Sequence, residues 1–311
     1  MDKTRHIVAF SGGKDSSALA IYLHNPERWR KALGKSNIRK RPPIADAEYV
    51  FCDTGTELAE TYDYLDRLEA YLGRTIHRLR ASVPPSKPGE PEKTPFDHYL
   101  ELYGGFLPSP RMRWCTRLLK LKPFEDYVGE DPVVSYVGIR ADEGEWRTDP
   151  DTGRKQFRHR KGYISTKPNI TTVFPFIEDG LGKSDVYRIL EDSGVGRPDY
   201  YSWRSRSGCY FCFFQRRSEW VGLLEHHPDL FERAMQYEKV GVKDGERYTW
   251  SDAESLEELA EPARVAEIKR RTKLREEQVR NSRSNITLLE QFFDEVRDLE
   301  DRTSGCNICH L

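Results

Sequence analysis

A short glycine-rich run near the N-terminus has the residue types that bind phosphate. It consists of Ser11, Gly12, Gly13, Lys14, Asp15 and Ser16. Phosphate binding requires clustered backbone N–H groups, a nearby cation and little side-chain bulk, and two glycines before a lysine provide all three. The serine hydroxyls can donate to phosphate oxygens, and Asp15 is expected to cap a helix and to contact magnesium. An ordinary helix-capping loop is the alternative, and the segments on either side distinguish it from a phosphate-binding loop.

The segments on either side of this run favour phosphate binding. Residues 6–10 are short, apolar and partly β-branched, which predicts a strand, and residues 17–23 have the apolar spacing of a helix. The N-terminus of that helix would add its partial positive charge to that of Lys14. The Walker A spacing is absent. We therefore predict a nucleotide-phosphate loop of another type.

The cysteines are the second group of residues that can do chemistry. The chain has six, and four of them form two C-x-x-C pairs, Cys209 with Cys212 and Cys306 with Cys309. Such pairs in a cytoplasmic chain are typical of metal or redox chemistry rather than of disulfides. Cys115, Cys209 and Cys212 would suit a four-iron cluster, with one iron left open or with Cys306 or Cys309 as a fourth ligand. We favour this cluster over a structural zinc site formed by the two C-x-x-C pairs. Reduced core thiols are the plain alternative, and Cys309 near the C-terminus is a candidate catalytic thiol.

Further strands and helices alternate along the chain after the first unit. We predict strands at 47–52, 75–79, 133–139 and 172–176, with helices at 57–72, 95–103 and 183–193. This order indicates an α/β fold, a Rossmann-like parallel sheet with helices on both faces. Beyond residue 215 the chain is helical and strongly charged. We therefore divide it into a nucleotide-binding domain with the cysteine site, 1–214, and a helical C-terminal region, 215–311, that ends in a C-x-x-C tail.

Composition narrows the choice of partners. The net charge of −1 and the pI of about 6.7 give no global attraction to nucleic acid, although the basic stretches 111–122 and 154–161 permit such a partner. No apolar run approaches the roughly 20 residues of a membrane helix, so we expect no membrane and a cytoplasmic location. The charged C-terminal helices are either a solvated face or a docking surface for a partner protein.

Five sequence blocks, in order, resemble one family. They are Val50 to Gly55, Trp114 to Pro123 with Cys115 and Lys120, Val137 to Arg140 followed by Arg147, Pro175 to Val186, and Ser207 to Cys212, and the SGGKDSS loop precedes them. Together they are similar to the phosphoadenosine phosphosulfate (PAPS) reductase-like branch of the PP-loop ATP pyrophosphatases, enzymes that cleave ATP between the α- and β-phosphates and usually adenylylate an acceptor.

The resemblance implies roles for single residues. Lys14, Arg140 and Arg147 would stabilise charge on the leaving diphosphate with Mg²⁺, and Asp53 and Gly138 would contact the nucleotide. PAPS reductases have a degraded phosphate loop, whereas this one is intact and favours ATP. The chain also resembles the iron-sulfur enzyme of DNA phosphorothioation. Two other hypotheses stay open: a thiol-dependent reductase of PAPS or adenylylsulfate in which Cys309 attacks sulfur, and a non-catalytic nucleotide sensor or assembly subunit.

Overall fold

A five-stranded parallel sheet forms the centre of the fold. In the computed structural model its strands are β1 (Arg5–Phe10), β2 (Ala47–Cys52), β3 (Ile76–Leu79), β4 (Val133–Tyr136) and β7 (Ile170–Val173), in the order β3-β2-β1-β4-β7. Every neighbouring pair is parallel. The prediction of a Rossmann-like parallel sheet is confirmed. The structure describes residues 4–281 except 45, 86–87, 90–91, 150–151, 161–164, 241–247 and 252–253.

Helices cover both faces of this sheet, as predicted. The helices of the described residues are α1 (Lys14–His24), α2 (Pro26–Leu33), α3 (Ala59–Leu72), α4 (Pro95–Leu102), α5 (Trp114–Thr116), α6 (Lys122–Val128), α7 (Pro175–Glu178), α8 (Lys183–Ser193), α9 (Arg217–His226), α10 (Pro228–Val240), α11 (Leu256–Leu259) and α12 (Pro262–Asn281). A π-helical turn, Arg117–Leu121, joins α5 to α6, and a 3₁₀ turn spans Asp199–Ser202. No helix in the described ranges has the length and apolarity to cross a membrane.

Alternate residues of the central strands pack into two separate apolar layers. Because successive side chains of a strand point to opposite faces, β1 and β2 supply both layers. One layer contains Val8, Phe10, Tyr49 and Phe51 with residues of α1, α3 and α8. The other contains Ile7, Ala9, Val50 and Cys52 with Phe124 and Val128 of α6. Strands buried on both faces account for the continuous apolar runs in the sequence.

A third apolar cluster lies away from the sheet, and we call it the aromatic cluster. It joins residues of α4 and α5 to residues of the C-terminal helices, and its large members include Phe96, Trp114, Phe211, Trp220 and Trp250. Phe96 lies 4.3 Å from Phe211 and 5.1 Å from Trp114, centroid to centroid. The cluster therefore draws on both sides of residue 214.

Two of the predicted strands have bounds that differ by more than one residue from the structure, and one pair of strands was not predicted. The predicted strand 133–139 ends at Tyr136. The predicted strand 172–176 runs instead from Ile170 to Val173, because Pro175 has no N–H for a ladder and begins α7. Strands β5 (Gly144–Thr148) and β6 (Lys155–His159) form a separate antiparallel hairpin. Its residues are mostly exposed and polar, so the sequence has no alternation of apolar residues there from which the strands could be predicted.

Candidate functional site

The glycine-rich run lies at the carboxyl end of the middle strand. β1 ends at Phe10 and α1 begins at Lys14, so residues 11–13 form the turn between them. β1 pairs with β2 on one side and with β4 on the other. The strand order therefore reverses at β1, and open parallel sheets bind ligands in the crevice at such a point.

Hydrogen bonds within the loop fix its shape. The Ser16 hydroxyl accepts from the backbone N–H of Ser11 at 3.1 Å and donates to the Gly13 carbonyl at 3.2 Å, and Ser17 donates to the same carbonyl at 2.8 Å. Gly12 has a φ of 71°, and a Cβ at this position would lie 2.6 Å from the Thr61 methyl carbon. The turn thus requires glycine for both backbone conformation and space.

A segment almost 200 residues away holds the loop from outside. Tyr200 donates its hydroxyl to the Gly12 carbonyl at 2.7 Å, and the Lys14 N–H donates to the Tyr201 hydroxyl at 3.2 Å. Ser207 donates to the Ser11 hydroxyl at 3.2 Å. These contacts position the loop, and sequence reasoning missed the two tyrosines because nothing local links them to it.

Two buried cations meet at one carboxylate beside the loop. The Arg140 guanidinium lies 2.6 Å from Asp15 Oδ1, and Lys14 Nζ lies 3.2 Å from Asp15 Oδ2. Arg140 also pairs with Asp142 at 2.9 Å and with Glu143 at 3.3 Å. Asp15 does not cap α1, contrary to the sequence expectation, because Gly13 is the N-cap and no side chain caps it.

The charge of both cations is secured by their surroundings. Burial by itself would lower the pKa of Lys14, but the Asp15 carboxylate together with the Tyr201 and Tyr187 hydroxyls raises that pKa above its usual value. Burial likewise opposes the charge on Arg140, while Asp15, Glu143 and Asp142 raise its pKa. Both side chains therefore stay positive at neutral pH. This corner of the crevice can neutralise an anionic leaving group.

Gly138 brings the loop after β4 against the start of α1. A Cβ on this residue would lie 2.9 Å from the Asp15 carbonyl oxygen and 3.1 Å from the Ser16 nitrogen. The close backbone approach requires glycine, and it places Arg140, two residues later, beside Asp15. The structure thus brings together the predicted residues 11–16, Gly138 and Arg140.

Asp53 lies at the carboxyl end of the neighbouring strand, β2, and is buried. Its Oδ1 accepts from the Gly55 N–H and the Tyr62 hydroxyl, each at 2.8 Å, and its Oδ2 accepts from Arg80 at 2.8 Å. Glu57, which the sequence analysis did not select, lies close by. Burial raises the pKa of Glu57, and the Lys120 ammonium opposes that shift.

The Cys209–Cys212 pair shares one turn beside Asp53 and Glu57. The Cys212 N–H donates to the Cys209 carbonyl at 3.1 Å, and the Cys209 sulfur lies 3.3 Å from the Thr54 hydroxyl. Burial and then the Glu57 carboxylate raise the pKa of the Cys209 thiol to about 11. Cys115 is on α5 at the edge of the aromatic cluster, and Cys52 is buried in β2.

The described residues do not assemble a metal site. Across 4–281, with the gaps named above, no group of three or more His, Cys, Asp or Glu side chains is arranged to hold a metal ion. Cys306 and Cys309 lie outside the described residues. Arg147 lies on β5 with its side chain 59% exposed and pairs with Glu145 of the same strand. The structure therefore does not bring Arg147 into the Lys14–Asp15–Arg140 group.

Comparison with known proteins identifies the family of this chain. The family model of the phosphoadenosine phosphosulfate reductase domain matches residues 5–198. The chain belongs to this family. The tRNA-specific 2-thiouridylase of Pseudomonas entomophila is 31% identical over 204 residues, which are 62% of this chain and 49% of that protein. The family membership places the chain among the PP-loop, PAPS reductase-like proteins.

One further sequence relative and one solved structure are also similar to this PAPS reductase-like chain. An uncharacterized protein of Methanocaldococcus jannaschii is 30% identical over 230 residues, 73% of this chain and 40% of that protein. A solved structure of phosphoadenylyl-sulfate reductase from Candida auris matches at 13% identity with a TM-score of 0.41, covering 67% of this chain and 82% of that one. The chain spans less than half the length of the methanogen protein and of the thiouridylase.

Proposed function

We propose that this chain is an ATP pyrophosphatase that adenylylates an oxygen on an acceptor molecule in preparation for sulfur transfer. The observation that carries the proposal is the intact loop between β1 and α1 with Lys14 and Arg140 converging on Asp15. A glycine-rich loop at the N-terminus of a helix, with two buried cations beside it, suits a reaction in which diphosphate leaves. Membership of the PP-loop, PAPS reductase-like group supports it.

The proposed reaction has two steps, adenylylation of the acceptor and displacement of AMP by sulfur. The acceptor oxygen attacks the α-phosphorus of MgATP, the bond to the oxygen bridging the α- and β-phosphates breaks, and diphosphate leaves with that electron pair. A sulfur nucleophile from a donor then displaces AMP from the adenylylated acceptor. Lys14, Arg140 and the loop N–H groups would stabilise the diphosphate charge in the first step, and Asp53 would orient the nucleotide.

The iron-sulfur or zinc site stays a prediction and enters neither step. A cluster would be held by Cys115, Cys209 and Cys212 with Cys306 as a fourth ligand, and Cys309 would be the thiol that carries sulfur. Zinc would instead be held by the two C-x-x-C pairs. Measuring the iron, zinc and acid-labile sulfide content of anaerobically purified protein would distinguish an iron-sulfur cluster from zinc. Arg147 as a catalytic residue is likewise a prediction, and its exposed place on β5 assigns it more readily to the hairpin.

Diphosphate release tests the proposal directly. Purified protein is incubated with MgATP and with pooled RNA or DNA fragments as trial acceptors, and diphosphate is measured for wild type, Lys14→Ala and Lys31→Ala. Lys31 is the matched control because it is a 73% exposed lysine on α2. We expect Lys14→Ala to lower the rate by roughly 10²–10³, the usual loss for one preorganised charge-stabilising group. ATP binding without any Lys14-dependent diphosphate release would refute the proposal and favour a nucleotide sensor.

A thiol-dependent reductase is the second candidate, because the matching family model is that of a reductase domain. It predicts sulfite release from PAPS or adenylylsulfate in the presence of a reduced thiol, without diphosphate release from ATP. Running both assays on one preparation separates the two reactions.

A further inference from the structure

The antiparallel hairpin β5–β6 has an exposed row of aromatic side chains. Trp146 lies directly opposite Phe157, and His159 is two residues along the same strand, so all three share one face. The ring centroids are 5.5 Å apart for Trp146 and Phe157 and 5.2 Å apart for Phe157 and His159. Trp146 is 69% exposed, the largest exposure among the large hydrophobic side chains in the described part of the chain. Exposed aromatic surface in such a row indicates a binding surface.

Basic residues lie on the same segment as Phe157 and His159. Residues 152–160 carry no carboxylate and include Arg154, Lys155, Arg158 and Arg160. The first three of these are exposed, and Lys155 lies on the aromatic face because its partner Thr148 is two residues from Trp146. Two nearby acids have local partners: Glu145 pairs with Arg147, and Asp149 accepts from the Thr152 N–H in the turn. The hairpin surface thus combines flat rings with positive charge.

The base of the hairpin is tied to the arginine beside the phosphate loop. The Arg160 N–H donates to the Glu143 carbonyl at 2.8 Å, and the Glu143 carboxylate accepts from the Arg140 N–H at 3.2 Å. At Gly144 a Cβ would lie 2.3 Å from the Arg158 carbonyl oxygen, so the strands can close only on a glycine here. A ligand on the hairpin would therefore be held on the same loop that supplies Arg140.

We propose that the β5–β6 hairpin binds single-stranded nucleic acid, which makes a nucleic acid the acceptor class of the proposed adenylylation. The claim that nucleic acid is adenylylated rests on the proposed function, whereas the claim that the hairpin binds it rests on the hairpin alone. Bases stack on aromatic side chains, and cations beside them neutralise the phosphates that link those bases. Trp146 and Phe157 provide the stacking surface, and Lys155, on the same face, meets the backbone.

Binding of labelled oligonucleotides tests this surface. Fluorescence anisotropy measures Kd, without ATP, for an RNA and a DNA single strand of about 12 nucleotides and for a blunt duplex of the same sequence. Trp146→Ala should weaken single-strand binding about 5- to 100-fold, whereas Trp146→Phe, which keeps a ring, should retain most of it. Leu102→Ala on α4 is the control, because Leu102 is 67% exposed and apolar.

Charge reversal gives a second, independent readout. Lys155→Glu should weaken binding and flatten the dependence of log Kd on log salt, whereas Lys31→Glu on α2 should change neither. A preference for RNA or for DNA identifies the natural strand, and either preference supports the inference. Equal Kd values for wild type and Trp146→Ala, or wild-type binding no tighter to single strands than to the duplex, would overturn it.

The two proposals can fail separately. Absent binding together with Lys14-dependent diphosphate release would remove the hairpin inference and leave the pyrophosphatase. Trp146-dependent binding with no diphosphate release would refute the pyrophosphatase proposal and support the nucleic-acid-binding surface.

Discussion

Replacing Gly138 by alanine should displace the start of α1 and impair catalysis. The added Cβ would lie 2.9 Å from the Asp15 carbonyl oxygen, 3.0 Å from its carbonyl carbon and 3.1 Å from the Ser16 nitrogen. Ordinary contact begins at 3.4 Å, so the nearest backbone atom must move by about 0.5 Å. All three atoms belong to the backbone of the first turn of α1, which cannot rotate away as a side chain would. The Asp15 carboxylate that joins Lys14 to Arg140 must move with them.

The size of the effect follows from this displacement. Overpacking of a close contact costs about 1–3 kcal/mol, which for a chain of this size lowers Tm by roughly 1.5–5 °C. Catalytic groups must be held within about 0.5 Å of their productive geometry, so we expect kcat/KM for diphosphate release to fall at least about tenfold. Differential scanning calorimetry and the diphosphate assay measure the two losses on one preparation.

Gly34→Ala is the matched control for this prediction. Gly34 ends α2 with a φ of 66°, and nothing lies within 4 Å of an added Cβ, so alanine brings backbone strain of about 1 kcal/mol without a collision. The control should lose some stability and retain wild-type kcat/KM. Wild-type Tm and kcat/KM for Gly138→Ala would refute the steric argument, and equal catalytic losses in both variants would show that the contact with α1 is irrelevant.

Two further predictions concern buried charge. Arg140→Met leaves Asp15, Glu143 and Asp142 without their shared cation, so we expect a loss of about 3–5 kcal/mol in the free energy of unfolding, measured by urea denaturation; a loss under 1 kcal/mol would contradict it. The hydrogen bond from Arg5 lowers the pKa of Glu48, so this pair stabilises the fold above the unfolded pKa of about 4.3 and ceases to do so as pH falls through the lower folded pKa. Glu48→Gln should therefore flatten the acid side of the stability–pH profile, and an unchanged acid slope would refute this role.

The residues of the phosphate loop could be selected from sequence because their chemistry is local. Gly12 and Lys14 owe their roles to the turn between one strand and the next helix. Gly138 and Arg140 could be placed near them only through the family resemblance, since β4 must first pair with β1 before its loop reaches Asp15. The parallel sheet could also be predicted from the sequence, because strands buried on both faces give unbroken apolar runs.

The residues that escaped sequence reasoning depend on contacts between distant segments. Asp15 has the residue type of a helix cap, but a guanidinium 125 residues later engages its carboxylate instead. Tyr200 and Tyr201 reach the loop from a 3₁₀ turn whose sequence gives no sign of its neighbour. Glu57 is an unremarkable acid in the sequence until the fold buries it beside Asp53, and burial, followed by the Asp53 carboxylate, raises its pKa.

The aromatic cluster limits how segments can be exchanged among relatives of this chain. The family model ends at residue 198, whereas Trp220 and Trp250, which pack with Phe96 and Trp114, lie beyond it. A chimera that keeps the first part and takes another protein's C-terminal helices would expose those rings unless the new helices present aromatic side chains of matching shape. Lineages that share the nucleotide-binding part should accordingly have changed both sides of this contact together.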